Sequence, residues 1–142
     1  MPAFGLRNRL RDASRFNEPA PRLALAFGLG VFLGVLPGTG ALVAAALAAA
    51  LRLNLPLMVG GALLNNPFTT PFVYAASFAV GRWLLGAEVG RGILSRFVFP
   101  ALAGNLLLSV SLGLAGYAVV WCVVVWARAR RVRSRGGERA RA

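Results

Sequence analysis

The chain of 142 residues contains no histidine and no lysine, one cysteine, and four acidic residues against sixteen arginines. Without histidine there is no imidazole to serve as a general base or metal ligand. The single Cys122 excludes an intrachain disulfide and a thiolate metal site. No acid falls inside a long apolar stretch, so a proton relay of the kind used by membrane pumps lacks its carriers. No nucleophile stands with an ionisable base. Glu88 and Arg91, three residues apart in a short connector, read as an exposed ion pair. Enzymatic, metal and cofactor chemistry are therefore not expected. No asparagine begins an Asn-x-Ser/Thr acceptor.

The charges that are present are segregated. None lies between Arg22 and Arg52, between Arg52 and Arg82, or between Arg96 and Arg128. Each gap is roughly 30 residues long, beyond the length that marks a membrane span and too long for the core helix of a small soluble domain. The net charge of +12 would suit a nucleic-acid binder if it formed one face. Instead the arginines crowd the two ends, as expected of cytoplasmic flanks held against anionic lipid headgroups. Nucleic acid is not an expected partner. Small residues in "ALVAAALAAALRLN" imitate a signal-peptide cleavage region, but the apolar stretch is longer than a signal core, so it reads as retained.

These features divide the chain into a basic arm (1–22), one membrane domain (23–127) and a basic tail (128–142). The arm reads as amphipathic or loosely ordered, with "NEPAP" ending any helix before the first apolar residue. Within the domain the expected fold is all-α and polytopic: two broken or re-entrant units at 23–51 and 53–81, a connector at 82–96, and a transmembrane helix at 97–127 with an interfacial turn at Pro100. The breaks are Pro37, Gly38 and Gly40 in the first unit and Pro67 and Pro71 in the second. Thr70 is the expected cap for a half-helix opened by Pro71. Pro37 and Pro67 are thirty residues apart, which suggests a weak internal repeat. Three single crossings would put one basic terminus outside; a re-entrant unit restores both termini to the cytoplasm. Trp83, Trp121 and Trp126 stand near segment ends as interfacial anchors.

The candidate polar site is Thr39, Asn65, Asn66, Thr69 and Thr70. In hydrocarbon these groups need partners, so they either cap broken helices or line a site where half-helix N-termini offer donors. Asn105 is an expected hydrogen-bond partner to the breaks from the third helix. Ala26, Gly30 and Gly34, and Ser77 with Gly81, recur every four residues and read as helix-packing positions within or between protomers.

One stretch, "FGLGVFLGVLPGTGALVAAALAAALRLNLPLMVGGALLNNPFTTPFVYAASFAVGR", resembles the core of the bacterial membrane family called domain of unknown function 2062. The resemblance rests on Gly30, Phe32, Gly34, Pro37 and Gly40, on Arg52, Leu53, Asn54 and Pro56, and on Asn66, Pro67, Thr69 and Pro71. It covers roughly Pro21 to Gly86. After the first break, "GTGALVAAALAAA" lacks the bulk and polarity that relatives often carry there. The resemblance implies small inner-membrane proteins, sometimes joined to or encoded beside envelope glycan enzymes, with no established activity. Two functions are expected as alternatives. One is transport or flipping of a small polar, anionic or lipid-linked substrate by an oligomer. The other is a noncatalytic membrane partner or scaffold for an envelope glycan or lipid enzyme.

Overall fold

The computed structural model describes residues 18–37, 40–86, 92 and 94–139, with side chains as far as residue 130 except that of residue 95. The arm through residue 17, Gly38, Thr39, Glu88 and Arg91 lie outside the described residues. The protein is all-helical: α1 Ala20–Val35, α2 Gly40–Leu51, α3 Leu55–Ala62, α4 Thr70–Leu85, a π-helical turn Leu94–Val98, and α5 Phe99–Arg139.

Proline and glycine set the boundaries. "NEPAP" leads into α1: Pro19 is its N-cap and Pro21 sits in its first turn, where a missing N–H costs nothing. Leu36, which precedes Pro37, is forced to extended geometry at φ −65° and ψ 133°, and α1 stops there. Gly40 enters α2 with φ 75°. At the far end of α2, Arg52 adopts φ 53°. The Arg52 and Leu53 amides donate to Ala49 O at 3.4 Å and Ala48 O at 2.9 Å, a Schellman closure with buried Leu53 beneath it. Asn54 then caps α3, its Oδ1 accepting from the Leu57 amide at 3.3 Å. Pro100 makes no separate turn; it is the second residue of α5, and the turn before it is the π-helical one. Helix α5 also runs on through the expected tail to Arg139.

The helices meet backbone to backbone. A Cβ on Gly30 would lie 2.1 Å from Met58 O, and one on Gly34 2.5 Å from Ala62 O, so α1 and α3 run parallel. A Cβ on Gly81 would lie 1.7 Å from Pro100 O and one on Gly104 1.8 Å from Ser77 O, so α4 and α5 are antiparallel. Gly28 faces Gly113 in the same way, and α1 is likewise antiparallel to α5. Ala26, Leu33, Ala44, Ala48, Leu53, Met58 and Ala62 form a buried cluster from α1, α2, α3 and the joint before α3.

These registers give the chain's course. Since α3 starts beside the first half of α1 and runs parallel to it, α2 must run back, and α1 with α2 is a hairpin. Ser77 meets Gly104, and Val35 meets Asn105 one residue on, so Ser77 and the end of α1 share a level along α5. Helix α4 continues eight residues past that level, about 12 Å, to Leu85. The first broken unit therefore folds back while the second goes on. Their helices also differ in length, 16 and 12 residues against 8 and 16, so the two units do not share one structure.

Arg22, Arg52, Arg128 and Arg130 gather at the end where α1 starts, α2 meets α3 and α5 emerges from its neighbours; Arg82 and Arg96 lie at the other. Arg128 Nη2 donates to the Glu18 carbonyl, and the Arg130 guanidinium lies 3.7 Å from the Trp126 ring centre. Among the described residues, one stretch, Arg96–Arg130, is long and apolar enough to cross a membrane, with mean hydropathy 2.1 and 11% of its most apolar window buried; α1 and α2 are apolar but shorter.

Candidate functional site

A helix that ends inside the protein leaves its last four carbonyls without partners of its own. In α1 the Leu36 amide takes Phe32 O at 3.2 Å. Gly34 O accepts from Asn65 Nδ2 at 2.7 Å, and Val35 O from Asn105 Nδ2 at 3.2 Å. Two asparagine amides, from the second break and from α5, thus finish the C-terminus of α1 and place donors against the negative end of its dipole.

Asn105 is buried and continues the network. Its Nδ2 also lies 3.3 Å from Ser77 Oγ, and that hydroxyl donates to Val73 O at 2.7 Å within α4. Ser109, one turn along α5, donates to Asn105 O at 2.6 Å. Three helices are joined by neutral hydrogen bonds where α1 ends.

The polar residues at 65–70 build the start of α4. Asn66 Oδ1 accepts from the Phe68 amide at 2.9 Å and the Thr69 amide at 3.0 Å. Thr69 Oγ1 returns the contact by accepting from the Asn66 amide at 2.9 Å, a reciprocal capping arrangement. The Thr70 amide and hydroxyl both donate to Asn66 O, at 2.9 and 2.7 Å. The amides that the Asn66 side chain holds thus belong to the turn before α4, whose N-cap Thr69 makes no side-chain cap bond, and Thr70 bonds back from the first helical residue. Asn65 Oδ1 lies 3.3 Å from both threonine hydroxyls while its Nδ2 serves Gly34, so Asn65 ties the two breaks together.

Asn65, Asn66, Thr69 and Thr70 are thus one cluster next to the end of α1; Thr39, the fifth candidate, lies outside the described residues. Asn66, Pro67, Phe68 and Thr69 are exposed on the single chain. The packing positions Ala26, Gly30, Gly34, Ser77 and Gly81 are all buried, each on a helix contact within the chain. Sequence reasoning did not single out Gly61, Gly104 or Ser109; the Pro100–Gly104 spacing was the available signal for the α4 contact. Asn54 entered only through the family resemblance, although its place two residues before Pro56 is an N-cap signature. Its Nδ2 is buried with no hydrogen-bond partner.

The cluster offers donors and acceptors but no ionisable side chain, which suits recognition through hydrogen bonds rather than proton transfer. A cavity of ≈240 Å³ lies away from it, between α1 and α5, with an almost wholly apolar lining. Among the described residues no group of three metal-ligating side chains occurs.

Residues 5–133 match the family described as "Uncharacterized protein conserved in bacteria (DUF2062)". No curated protein and no solved structure matches the chain.

Proposed function

The chain belongs to this bacterial family, and from that footing we propose that it is a multi-pass protein of the inner membrane with both termini in the cytoplasm. In this reading the α1–α2 hairpin is the re-entrant unit, while α3–α4 and α5 each cross. Continuing the registers, Arg22 stands near Val119 of α5 and Arg82 near Phe99. That separation is about 20 residues, or ~30 Å, the thickness of a hydrocarbon core. Trp83 and Trp121 then fall at the two interfaces.

On this scale the second break lies within about two turns of the bilayer centre, and it carries the functional reading. Residues 63–69 are not helical, and Asn66 and Thr69 are exposed there. Irregular backbone at such depth is stable only when other protein covers it or when it lines a hydrated cavity. The function that follows is handling of a small polar, anionic or lipid-linked substrate at this break, in an assembly of more than one copy. Asn65, Asn66, Thr69 and Thr70 supply its hydrogen-bonding groups.

The test is flux in vesicles holding purified protein, read as loss of a trapped anionic dye and as exposure of inner-leaflet fluorescent phospholipid to an external quencher. Wild-type protein should accelerate one of them. Asn66→Ala that inserts and assembles normally should lose it. A second reading, a noncatalytic partner of an envelope enzyme, draws support from a different observation: every described polar side chain at the break is already engaged in capping. Flux absent from folded, assembled protein would favour that reading.

A further inference from the structure

We propose that the furrow between α1 and α5 binds one acyl chain of an anionic phospholipid, with the lipid phosphate at Arg22. The close contact of Gly28 and Gly113 leaves a floor without side chains, since a Cβ on Gly28 would lie 2.7 Å from Gly113 O. Larger residues stand up on both sides as walls: Leu25, Leu29 and Phe32 from α1, and Val110, Leu114 and Tyr117 from α5. The resulting space is ≈240 Å³. That is less than the roughly 300–1,000 Å³ of sites for compact drug-sized ligands. It runs from Leu25 to Phe32, about 10 Å along the helix, so a slender hydrocarbon segment fits and a folded polar ligand does not.

Charge chooses the lipid. Arg22 is exposed one turn before Leu25, on the side of α1 that leads out of the furrow. Farther along α5, Arg128 is held by the Glu18 carbonyl and Arg130 stacks on Trp126. Glu18 is the one acid whose side chain is described, so three arginines against one carboxylate leave this end positive. A phosphate bearing net negative charge is favoured there over a zwitterionic headgroup. The proposal shares with the preceding reading only residence in the membrane; loss of flux at the break would leave it standing.

The experiment is native mass spectrometry of the full chain, purified in detergent and mixed with equal amounts of phosphatidylglycerol and phosphatidylcholine of matched chains. Wild-type protein should retain phosphatidylglycerol about fivefold better, the preference that one arginine near a headgroup confers. Arg22→Gln should bring that ratio close to one. Val110→Trp, which fills the furrow from an exposed wall, should lower retention of both lipids severalfold. Elution and melting matching wild type confirm the fold, and Leu114→Phe replaces Val110→Trp where that variant fails this check. Equal retention of the two lipids by wild type overturns the proposal. So does unchanged retention in the folded variants, or disulfide capture of a second copy through a cysteine placed at position 114.

Discussion

Asn105 on α5 and Val35 at the end of α1, seventy residues apart, are joined by a 3.2 Å hydrogen bond from the asparagine amide to the carbonyl. With Asn65 on Gly34 O, it lets a helix end in the interior without orphaned acceptors. A first helix that stops short can then be followed by one that turns back. The asparagines are thus part of the reason the hairpin is stable, and not only decorations on it.

Asn105→Leu should therefore destabilise the protein by about 1–3 kcal/mol, because Val35 O is left buried and unpaired. Ser77→Ala should cost less than about 1 kcal/mol, since the hydroxyl leaves together with its 3.3 Å contact to Asn105 and its 2.7 Å bond to Val73 O. Thermal melting of the two purified variants in the same detergent ranks them. Equal losses would show that the Val35 contact carries no special weight.

The glycines divide sharply by surroundings. A Cβ on Gly81 or Gly30 would lie 1.7 or 2.1 Å from a carbonyl oxygen of the facing helix, a distance that only separating the helices can relieve. Gly81→Leu and Gly30→Leu should abolish monodisperse protein. Gly60 has nothing within 4 Å of its would-be Cβ. Gly60→Ala should keep the fold and raise helix stability by up to ~1 kcal/mol. Size-exclusion profiles and melting temperatures of the three variants read this directly.

How much of this was legible beforehand follows from where the information lies. The all-helical class and the two interruptions are written locally, in Pro37, Pro67 and Pro71 amid long uncharged stretches. Prolines that forbid a helix interior are favoured in a first turn, as Pro21 is, so α1 begins at Ala20, three residues before the first leucine of the expected unit. Assigning the α4 cap to Thr70 missed by one residue: the N-cap is Thr69, because the turn that Asn66 closes over the Phe68 and Thr69 amides carries the chain up to it. Whether the chain folds back or goes on after a break is not a local property. It depends on Gly30 and Gly34 finding Met58 and Ala62, and on Gly81 finding Pro100, pairings that spacing alone does not choose.

Arg52 holds φ 53° where helix ends usually place glycine. A left-handed conformation costs a residue with a Cβ about 1–2 kcal/mol. Arg52→Gly should raise stability by roughly 1 kcal/mol, less what glycine adds to unfolded-chain entropy. Arg52→Val, whose branched side chain tolerates this conformation poorly, should lower it. Melting both variants beside wild type gives the sign of each change; stabilisation by valine would mean that Arg52 is not left-handed in the purified protein.

The distribution of arginine makes the topology testable. Thirteen of the sixteen arginines lie at, or beyond in sequence, the end defined by the α1 start, the α2–α3 joint and the emergence of α5; Arg82, Arg91 and Arg96 make up the rest. Positive charge on short flanks is retained in the cytoplasm, so the richer end should face it. In a Cys122→Ala background, single cysteines at Ser14, Arg52 and Ser134 should react with a membrane-impermeant maleimide only after the inner membrane is opened. A cysteine at Gly92, in the connector between α4 and α5, should react in intact spheroplasts. Position 52 decides between the two units: a hairpin of α1 and α2 returns it to the cytoplasmic side, whereas a first unit that crossed would expose it with position 92. Labelling of both 52 and 92 from outside would sink the hairpin assignment, even with the two termini inside.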